Sequence, residues 1–125
     1  MTLSCILVVD DSSTMRKIIA RNLEQTPLTV GKILFAGDGH EALEMLEMQS
    51  VDVVLTDLNM PGLDGVGLVR AMRAKGLQAP VVVLSTSESH DAVEEALASG
   101  AIGFVPKPFS PEKLAEALQP LLAGK

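Results

Sequence analysis

The sequence predicts an α/β fold in which five parallel strands form one sheet and helices cover both of its faces. Short apolar runs alternate with stretches of helical periodicity along the 125 residues. Hydrophobic residues make up 47% of the chain, but only three residues are aromatic, all Phe, so the core must be built from aliphatic side chains. Buried parallel strands between aliphatic helices fit that composition.

Five short runs rich in Val, Ile and Leu predict the strands. Each run is apolar without alternation, as expected of a strand that helices cover on both faces. The fourth run, Val-Val-Val-Leu, is the clearest because β-branched residues favour strands. The predicted strands are residues 5–9, 32–36, 53–56, 81–84 and 102–105.

A helix follows each predicted strand and has a recognisable start or end. Ser12 or Ser13 can cap the first helix, which Pro27 stops. Asp38 and Asp64 can cap the second and third helices. The remaining signals are Gly76 and Gly100 after the third and fourth helices, and Ser110 with Pro111 before the fifth. Strict alternation implies right-handed crossovers and therefore a parallel sheet.

Charge and composition exclude several classes of protein. The formal net charge is −6, without a basic arm or face, which argues against a nucleic-acid binder. The single cysteine, Cys5, excludes an internal disulfide and a cysteine zinc cluster, and its apolar neighbours predict a buried, inert thiol. No segment approaches the ~18 apolar residues of a membrane span, and the N-terminus lacks a signal-peptide pattern, so we expect a soluble cytoplasmic protein.

Five polar residues stand at the carboxyl ends of predicted strands. They are Asp10 and Asp11 after the first strand, Asp57 after the third, Ser85 after the fourth and Lys107 after the fifth. Ligands of open parallel sheets bind beyond these strand ends, at a topological switch point, so we expect the five to share one crevice. Each residue alone fits a turn or a helix cap, but their common placement favours a functional site.

Three carboxylates in one crevice require a cation. At separations of about 5 Å they repel one another by roughly 3 kcal/mol per pair. Oxygen-only ligands with room for water suit Mg²⁺ better than zinc or a transition metal. With Mg²⁺ bound, one carboxylate can attack an electrophilic phosphorus, while Lys107 and Ser85 contact the phosphoryl oxygens.

Four motifs in this order and spacing resemble the receiver domain of bacterial response regulators, across essentially the whole chain. They are Val-Val-Asp-Asp at 8–11, Thr-Asp-Leu-Asn-Met-Pro-Gly-Leu-Asp-Gly at 56–65, Leu-Ser at 84–85 and Lys-Pro-Phe at 107–109. The resemblance implies a flavodoxin-like (βα)5 fold with a doubly wound, five-stranded parallel sheet. It also implies a single receiver domain over residues 1–125 that acts as a signalling switch and not as an enzyme.

The resemblance implies a phosphoacceptor and a magnesium site. Asp57 would receive a phosphoryl group from the phosphohistidine of a sensor histidine kinase. Asp11, Asp57 and the backbone carbonyl of Asn59 would ligate Mg²⁺, with Asp10 acting mostly through a water. Each of these expected ligands is an oxygen atom, which is the type of ligand that Mg²⁺ prefers.

The resemblance also implies a switch and a surface that reports it. Lys107 and Ser85 would contact the phosphoryl group, and Phe104 would turn inward as Ser85 moves toward that group. The face formed by the fourth helix, the last strand and the last helix would then bind a target protein.

Within the family, the stretch Asp-Asp-Ser-Ser-Thr-Met-Arg at 10–16 and the absence of an output domain are most similar to the stand-alone chemotaxis type, the CheY-like receivers. This similarity implies a chemotaxis kinase as donor and the flagellar motor switch as target of a monomer with no nucleic-acid or membrane partner. Leu58 stands where the subgroup often has Trp, and Pro106 before Lys107 is unusual.

Other interpretations stay open. The chain could be a receiver excised from a larger DNA-binding or cyclase regulator, or an interaction module with a vestigial site. A magnesium-dependent aspartyl phosphatase of the haloacid-dehalogenase type would need Asp-x-Asp on the first strand, where this chain has adjacent Asp10 and Asp11. We also hypothesise that Arg16, Lys17 and Arg21 of the first helix help to dock an acidic partner.

Overall fold

The computed structural model describes residues 2–85, 90–107 and 109–123. Strands and helices alternate throughout the described residues. They are β1 (Thr2–Val9), α1 (Ser13–Glu24), β2 (Thr29–Ala36), α2 (Gly39–Met48), β3 (Val53–Asp57), α3 (Gly65–Ala74), β4 (Val81–Ser85), α4 (His90–Ser99), β5 (Gly103–Pro106) and α5 (Pro111–Ala123). In this part of the chain, no helix is long and apolar enough to cross a membrane.

The strands form one parallel sheet in the order β2-β1-β3-β4-β5. The chain runs from β1 to β2 at one edge and then crosses back to β3, so the switch point lies between β1 and β3. The register pairs Val9 with Thr56, which brings the carboxyl ends of β1 and β3 side by side. The predicted flavodoxin-like fold is confirmed.

Two apolar clusters, one on each face of the sheet, hold the layers together. Because successive strand residues point to opposite faces, Leu7 and Val9 belong to one cluster while Ile6 and Val8 belong to the other. The first cluster includes residues of α2, α3 and α4, and the second includes residues of α1 and α5. β3 and β4 are buried along their whole length, which fixes the strand ends that carry polar residues.

The strand bounds differ from the predicted ones, most of all in β1, β2 and β5. β1 and β2 begin three residues earlier, because Leu3 pairs with Val30 in a ladder that continues through polar positions. β5 lies one residue later than predicted, since its register to β4 pairs Val82 with Gly103 and leaves Ile102 outside the strand. The ends of these strands are therefore set by hydrogen bonds to the neighbouring strand and not by the limits of the apolar runs.

The predicted helix caps are confirmed where the structure describes them. Asp38 accepts a hydrogen bond from the Glu41 amide at 2.8 Å, and Asp64 accepts one from the Gly67 amide at 2.8 Å. The Glu41 carboxylate accepts from the Gly37 amide at 2.7 Å, one residue earlier than a capping box requires. The other caps are Ser12, which accepts from the Met15 amide at 3.2 Å, and Ser110, which accepts from the Lys113 amide at 3.3 Å.

Cys5 is half-buried in β1, whereas its apolar neighbours predicted a buried thiol. Burial nevertheless raises the pKa of the Cys5 thiol, with a smaller rise from the nearby Asp52 charge and an opposing effect of Lys32. A raised pKa keeps the thiol protonated, which disfavours reaction as a nucleophile.

Candidate functional site

Three carboxylates converge where β1 and β3 end. Asp10 and Asp11 follow β1 directly, and Asp57 is the last residue of β3. One carboxylate oxygen of each lies within 4.8 Å of the other two. Asp10 and Asp57 are buried, at 2% and 8% exposure, whereas Asp11 is exposed. The three carboxylates therefore converge as predicted, with two of them buried and Asp11 open to solvent.

Asp10 is the carboxyl that the fold perturbs most clearly. Its Oδ1 accepts a hydrogen bond from the Ser12 amide at 2.9 Å, while its buried Oδ2 has no hydrogen-bond partner among the described residues. Burial raises the pKa of Asp10 above its usual value; the Ser12 amide opposes that rise, and the Asp57 charge adds to it. A buried, unpartnered carboxylate oxygen beside two other carboxylates fits a site for a hard cation or for water bound to one.

The backbone at Asp10 is fixed from two sides. Its amide donates to the Ala36 carbonyl of β2 at 3.2 Å, and its carbonyl accepts from Arg16 Nη1 at 2.6 Å. Arg16 is half-buried, and its guanidinium supports the backbone of the site. Lys17 and Arg21 are exposed. Sequence patterns did not indicate the Arg16 contact, because an arginine on a helix face gives no signal of its hydrogen-bond partner.

Asp57 contacts the predicted lysine. Lys107 Nζ lies 3.3 Å from Asp57 Oδ1, and both side chains are largely buried, at 20% and 11% exposure. The Asn59 amide also donates to Oδ1, at 3.4 Å. Asn59 itself is exposed in the loop after β3, two residues after Asp57. The lysine cation partly offsets the negative charge of the three carboxylates at this oxygen.

The loop after β3 depends on a glycine that sequence motifs alone did not explain. A Cβ at Gly65 would lie 2.6 Å from the Asp57 carbonyl oxygen and 2.8 Å from Leu58 Cα. The Gly65 amide donates to the Leu58 carbonyl at 3.0 Å, so the start of α3 packs directly against the backbone of the site. The missing side chain permits this close approach.

Ser85 and Phe104 share a groove beside the carboxylates. Ser85 ends β4 and is 4% exposed, and its carbonyl accepts from the Lys107 amide at 2.6 Å. Phe104 lies in β5 and is 48% exposed, so its ring faces the surface. Both residues line a groove of about 380 Å³ between α4 and β5. Pro108, part of the Lys-Pro-Phe motif, lies outside the described residues.

Comparisons with known proteins agree with this architecture. The sequence profile of the response regulator receiver domain matches residues 6–119. The chemotaxis protein CheY of Pseudomonas aeruginosa is 40% identical over 116 residues, which are 91% of this chain and 92% of that protein. The nitrate/nitrite response regulator protein NarP of Escherichia coli is 33% identical over 114 residues, 91% of this chain but 53% of that protein.

Among solved structures, the chemotaxis protein CheY4 of Vibrio cholerae superposes with a TM-score of 0.80 and 34% sequence identity, covering 95% of this chain and 98% of that one. Fold, strand order and sequence therefore agree over nearly the whole length. The chain belongs to the response regulator receiver domain family of two-component systems, and it is a CheY-like member.

Proposed function

We propose that this receiver is a phosphorylation-activated switch in which Asp57 accepts a phosphoryl group from the phosphohistidine of a sensor histidine kinase. One observation carries the proposal: carboxylate oxygens of Asp10, Asp11 and Asp57 lie within 4.8 Å of one another, with Lys107 Nζ 3.3 Å from Asp57 Oδ1. Such a cluster is unfavourable unless a cation joins it, and it offers both a nucleophile and a cationic partner for a phosphoryl group.

The transfer exchanges one bond to phosphorus for another. A carboxylate oxygen of Asp57 forms the new P–O bond while the P–N bond to the donor imidazole breaks. The bonding pair stays on the imidazole nitrogen, which takes up a proton. The Lys107 ammonium, which already lies 3.3 Å from Asp57 Oδ1, then pairs with one phosphoryl oxygen, and the hydroxyl of Ser85, at the end of the adjacent strand β4, donates to another.

Mg²⁺ is the cofactor in this proposal. Asp11, Asp57 and the backbone carbonyl of Asn59 would hold it, and Asp10 would act mostly through a water. When bound, Mg²⁺ neutralises the charge that develops on the phosphoryl oxygens. The buried, unpartnered Oδ2 of Asp10 supports this assignment, because a buried carboxylate oxygen beside two other carboxylates needs a cation or a cation-bound water as its partner.

Phosphorylation adds about two negative charges at Asp57 and makes contacts that exist in only one arrangement of Ser85. When Ser85 moves toward the phosphoryl group, Phe104 turns inward into the groove that both residues line. The face of α4, β5 and α5 changes shape and binds a target protein in that state. The phosphoryl group shifts a two-state equilibrium because it interacts differently with the two arrangements.

Control of the flagellar motor in chemotaxis is the pathway we propose, since the chain matches 92% of the length of the Pseudomonas aeruginosa CheY. In that role residues 1–125 act as a monomeric, cytoplasmic receiver domain that binds neither nucleic acid nor membrane and is a switch, not an enzyme. The second candidate is a receiver with transcriptional or cyclase output. The 33% identity to NarP, of which the chain spans 53%, favours it.

Acetyl phosphate and Mg²⁺ followed by intact mass spectrometry test the proposal. We expect a gain of one phosphoryl group that Asp57→Asn or chelation abolishes. Asp38→Asn is the matched control, because Asp38 also follows a strand and Asn can keep its helix cap. The proposal fails if no donor modifies the chain, and steady release of phosphate from simple esters would instead support the aspartyl phosphatase.

A further inference from the structure

β2 lies at the sheet edge opposite β5, and a groove of about 600 Å³ runs between β2 and α1. The residues that line this α1–β2 groove are mainly apolar. They are Ala20 and Glu24 of α1, Leu28 of the loop, and Val30, Gly31, Ile33 and Phe35 of β2. Phe35 is 42% exposed, so an aromatic ring on this edge is accessible to a partner.

The outer side of β2 is open to pairing with another strand. Among the described residues, β2 pairs with β1 alone, so the backbone N–H and C=O groups on its other side have no strand as partner. β2 is eight residues long. The other edge strand, β5, has four residues and ends at Pro106, which has no N–H to donate. An added strand would therefore find more hydrogen-bonding groups on β2 than on β5.

The charge at this edge is opposite in sign to that of the whole chain. Residues 13–35, which span α1 and all but the last residue of β2, contain four basic residues and one acidic residue, in a chain of net charge −6. Lys17, Arg21 and Lys32 are exposed, and Lys17 lines a smaller cavity together with Phe35. The edge that carries the exposed ring therefore attracts anionic groups.

We propose that β2 binds an extended segment of a partner protein as a sixth strand, with apolar side chains over the α1–β2 groove and acidic side chains toward Lys32. Ile33 packs in the cluster on the α1 side, so strand alternation places Lys32 on the opposite face. An added strand that alternates apolar and acidic residues would match both faces. Backbone hydrogen bonds would supply affinity, and the two rows of side chains would supply specificity.

Other occupants fit the edge less well. Pairing of two β2 strands from two copies of this chain would bring two sets of cations together, which is unfavourable. An anionic membrane would be attracted to the cations but would leave the backbone groups of the edge without strand partners. The free backbone edge and the cations together favour an acidic, extended protein segment.

This inference goes beyond the proposed switch and does not depend on it. No residue of the α1–β2 groove belongs to the carboxylate cluster. Lys107 lines a separate cavity with Met15, Ile18 and Phe109. Binding at β2 is therefore expected in the unmodified chain and without Mg²⁺, so the peptide experiment and the acetyl phosphate experiment can fail separately.

Fluorescence anisotropy with three labelled peptides and the full chain tests the strand addition. The first peptide alternates Val and Glu over about eight residues, and the second has Lys in place of Glu. The third is the Glu peptide with N-methyl groups on its backbone amides, which removes the donors and keeps every side chain. At low salt we expect the Glu peptide to bind at least about tenfold more tightly than either of the others. Charge acting over the whole protein would instead favour the Lys peptide, because the net charge is −6.

Lys32→Glu and Lys113→Glu separate this edge from the rest of the surface. Both lysines are exposed and both substitutions change the charge equally, but Lys113 lies in α5, outside β2 and the groove. We expect Lys32→Glu to weaken binding of the Glu peptide at least about fivefold and Lys113→Glu by less than about twofold. Equal losses would show that the peptide responds to net charge alone and would overturn the assignment to β2.

Phe35→Ala and Phe104→Ala compare the two sheet edges without changing any charge. The rings are 42% and 48% exposed, one in β2 and one in β5. We expect Phe35→Ala to weaken the Glu peptide about threefold or more and Phe104→Ala to change its affinity by less than about 1.5-fold. A larger loss for Phe104→Ala would place the added strand on β5 and contradict the proposal.

The partner's chemistry has its own contradicting results. Binding of the Lys peptide or of the N-methylated peptide as tight as that of the Glu peptide would overturn an acidic added strand. Sedimentation of the chain with phosphatidylserine vesicles, while the Glu peptide does not bind, would show a membrane-binding surface in its place.

Discussion

The carboxylate site and the α4–β5 groove meet at Ser85, yet the strands that build them differ in kind. β3, which ends at Asp57, is buried along all five residues and pairs with β1 on one side and β4 on the other. β5 has four residues, lies at the sheet edge next to β4 and exposes the Phe104 ring. A strand held by two ladders resists displacement more than an edge strand does. The proposed phosphoacceptor thus lies on a strand that is held on both sides, and the proposed readout involves an edge strand.

The largest expected effect comes from comparing two glycines, Gly65 beside the carboxylate site and Gly103 in β5. Gly65→Ala would bring a Cβ to 2.6 Å from the Asp57 carbonyl oxygen, so the backbone of the site or of α3 must shift. We expect the free energy of unfolding to fall by about 2 to 3 kcal/mol in urea denaturation. The yield of phosphorylation by acetyl phosphate is expected to fall with it, because Asp57 moves relative to Lys107.

Gly103→Ala is the corresponding change in β5. A Cβ there has nothing within 4 Å, and the residue does not require a positive φ. We expect its unfolding free energy to stay within about 0.5 kcal/mol of the native value. Similar losses for Gly65→Ala and Gly103→Ala would show that the two regions are equally tolerant and would contradict the contrast.

Asp10→Asn removes one charge from the stiff region while keeping an oxygen that can accept from the Ser12 amide. In EDTA we expect the variant to be more stable than the native chain by about 1 to 2 kcal/mol, because like charges repel less and a buried carboxylate is no longer desolvated. Adding Mg²⁺ should stabilise the native chain more than the variant, since the variant has lost part of the cation site.

Thermal unfolding of both proteins in EDTA and in Mg²⁺ measures these differences. Asp64→Asn, at an exposed carboxylate that caps α3, serves as the control and should change neither the stability in EDTA nor the response to Mg²⁺ appreciably. A native chain that is indifferent to Mg²⁺, or an Asp10→Asn variant less stable in EDTA, would contradict the charge argument.

The contrast between the regions also separates what the sequence could predict from what it could not. The convergence of Asp10, Asp11 and Asp57 followed from their places at the carboxyl ends of parallel strands, which the apolar runs already defined. The caps at Asp38 and Asp64 followed from local spacing. These features depend on neighbours along the chain or on the direction of the strands, and both are visible in the residue pattern.

Contacts between distant side chains were not predictable in this way. The bond from Arg16 to the Asp10 carbonyl and the unpartnered Oδ2 of Asp10 depend on rotamers and on packing across the loop. The bounds of β5 depend on its register to β4 and not on its own composition, which is why the strand lies one residue later than predicted. The outward orientation of the Phe104 ring was not predictable either, because a side chain in an edge strand can adopt more than one orientation.

Phe104→Ala is expected to have a modest effect on stability and the most selective effect on signalling. The ring is half exposed, so its loss should lower the unfolding free energy by less than about 1.5 kcal/mol. The carboxylate cluster does not include it, and phosphorylation of Asp57 should therefore proceed at the native level by intact mass. The change that phosphorylation makes in the amide chemical shifts of α4 should shrink, because the groove loses the side chain whose rotation reshapes it. If phosphorylation shifts these amides equally with and without the ring, the edge strand is not the element that carries the signal.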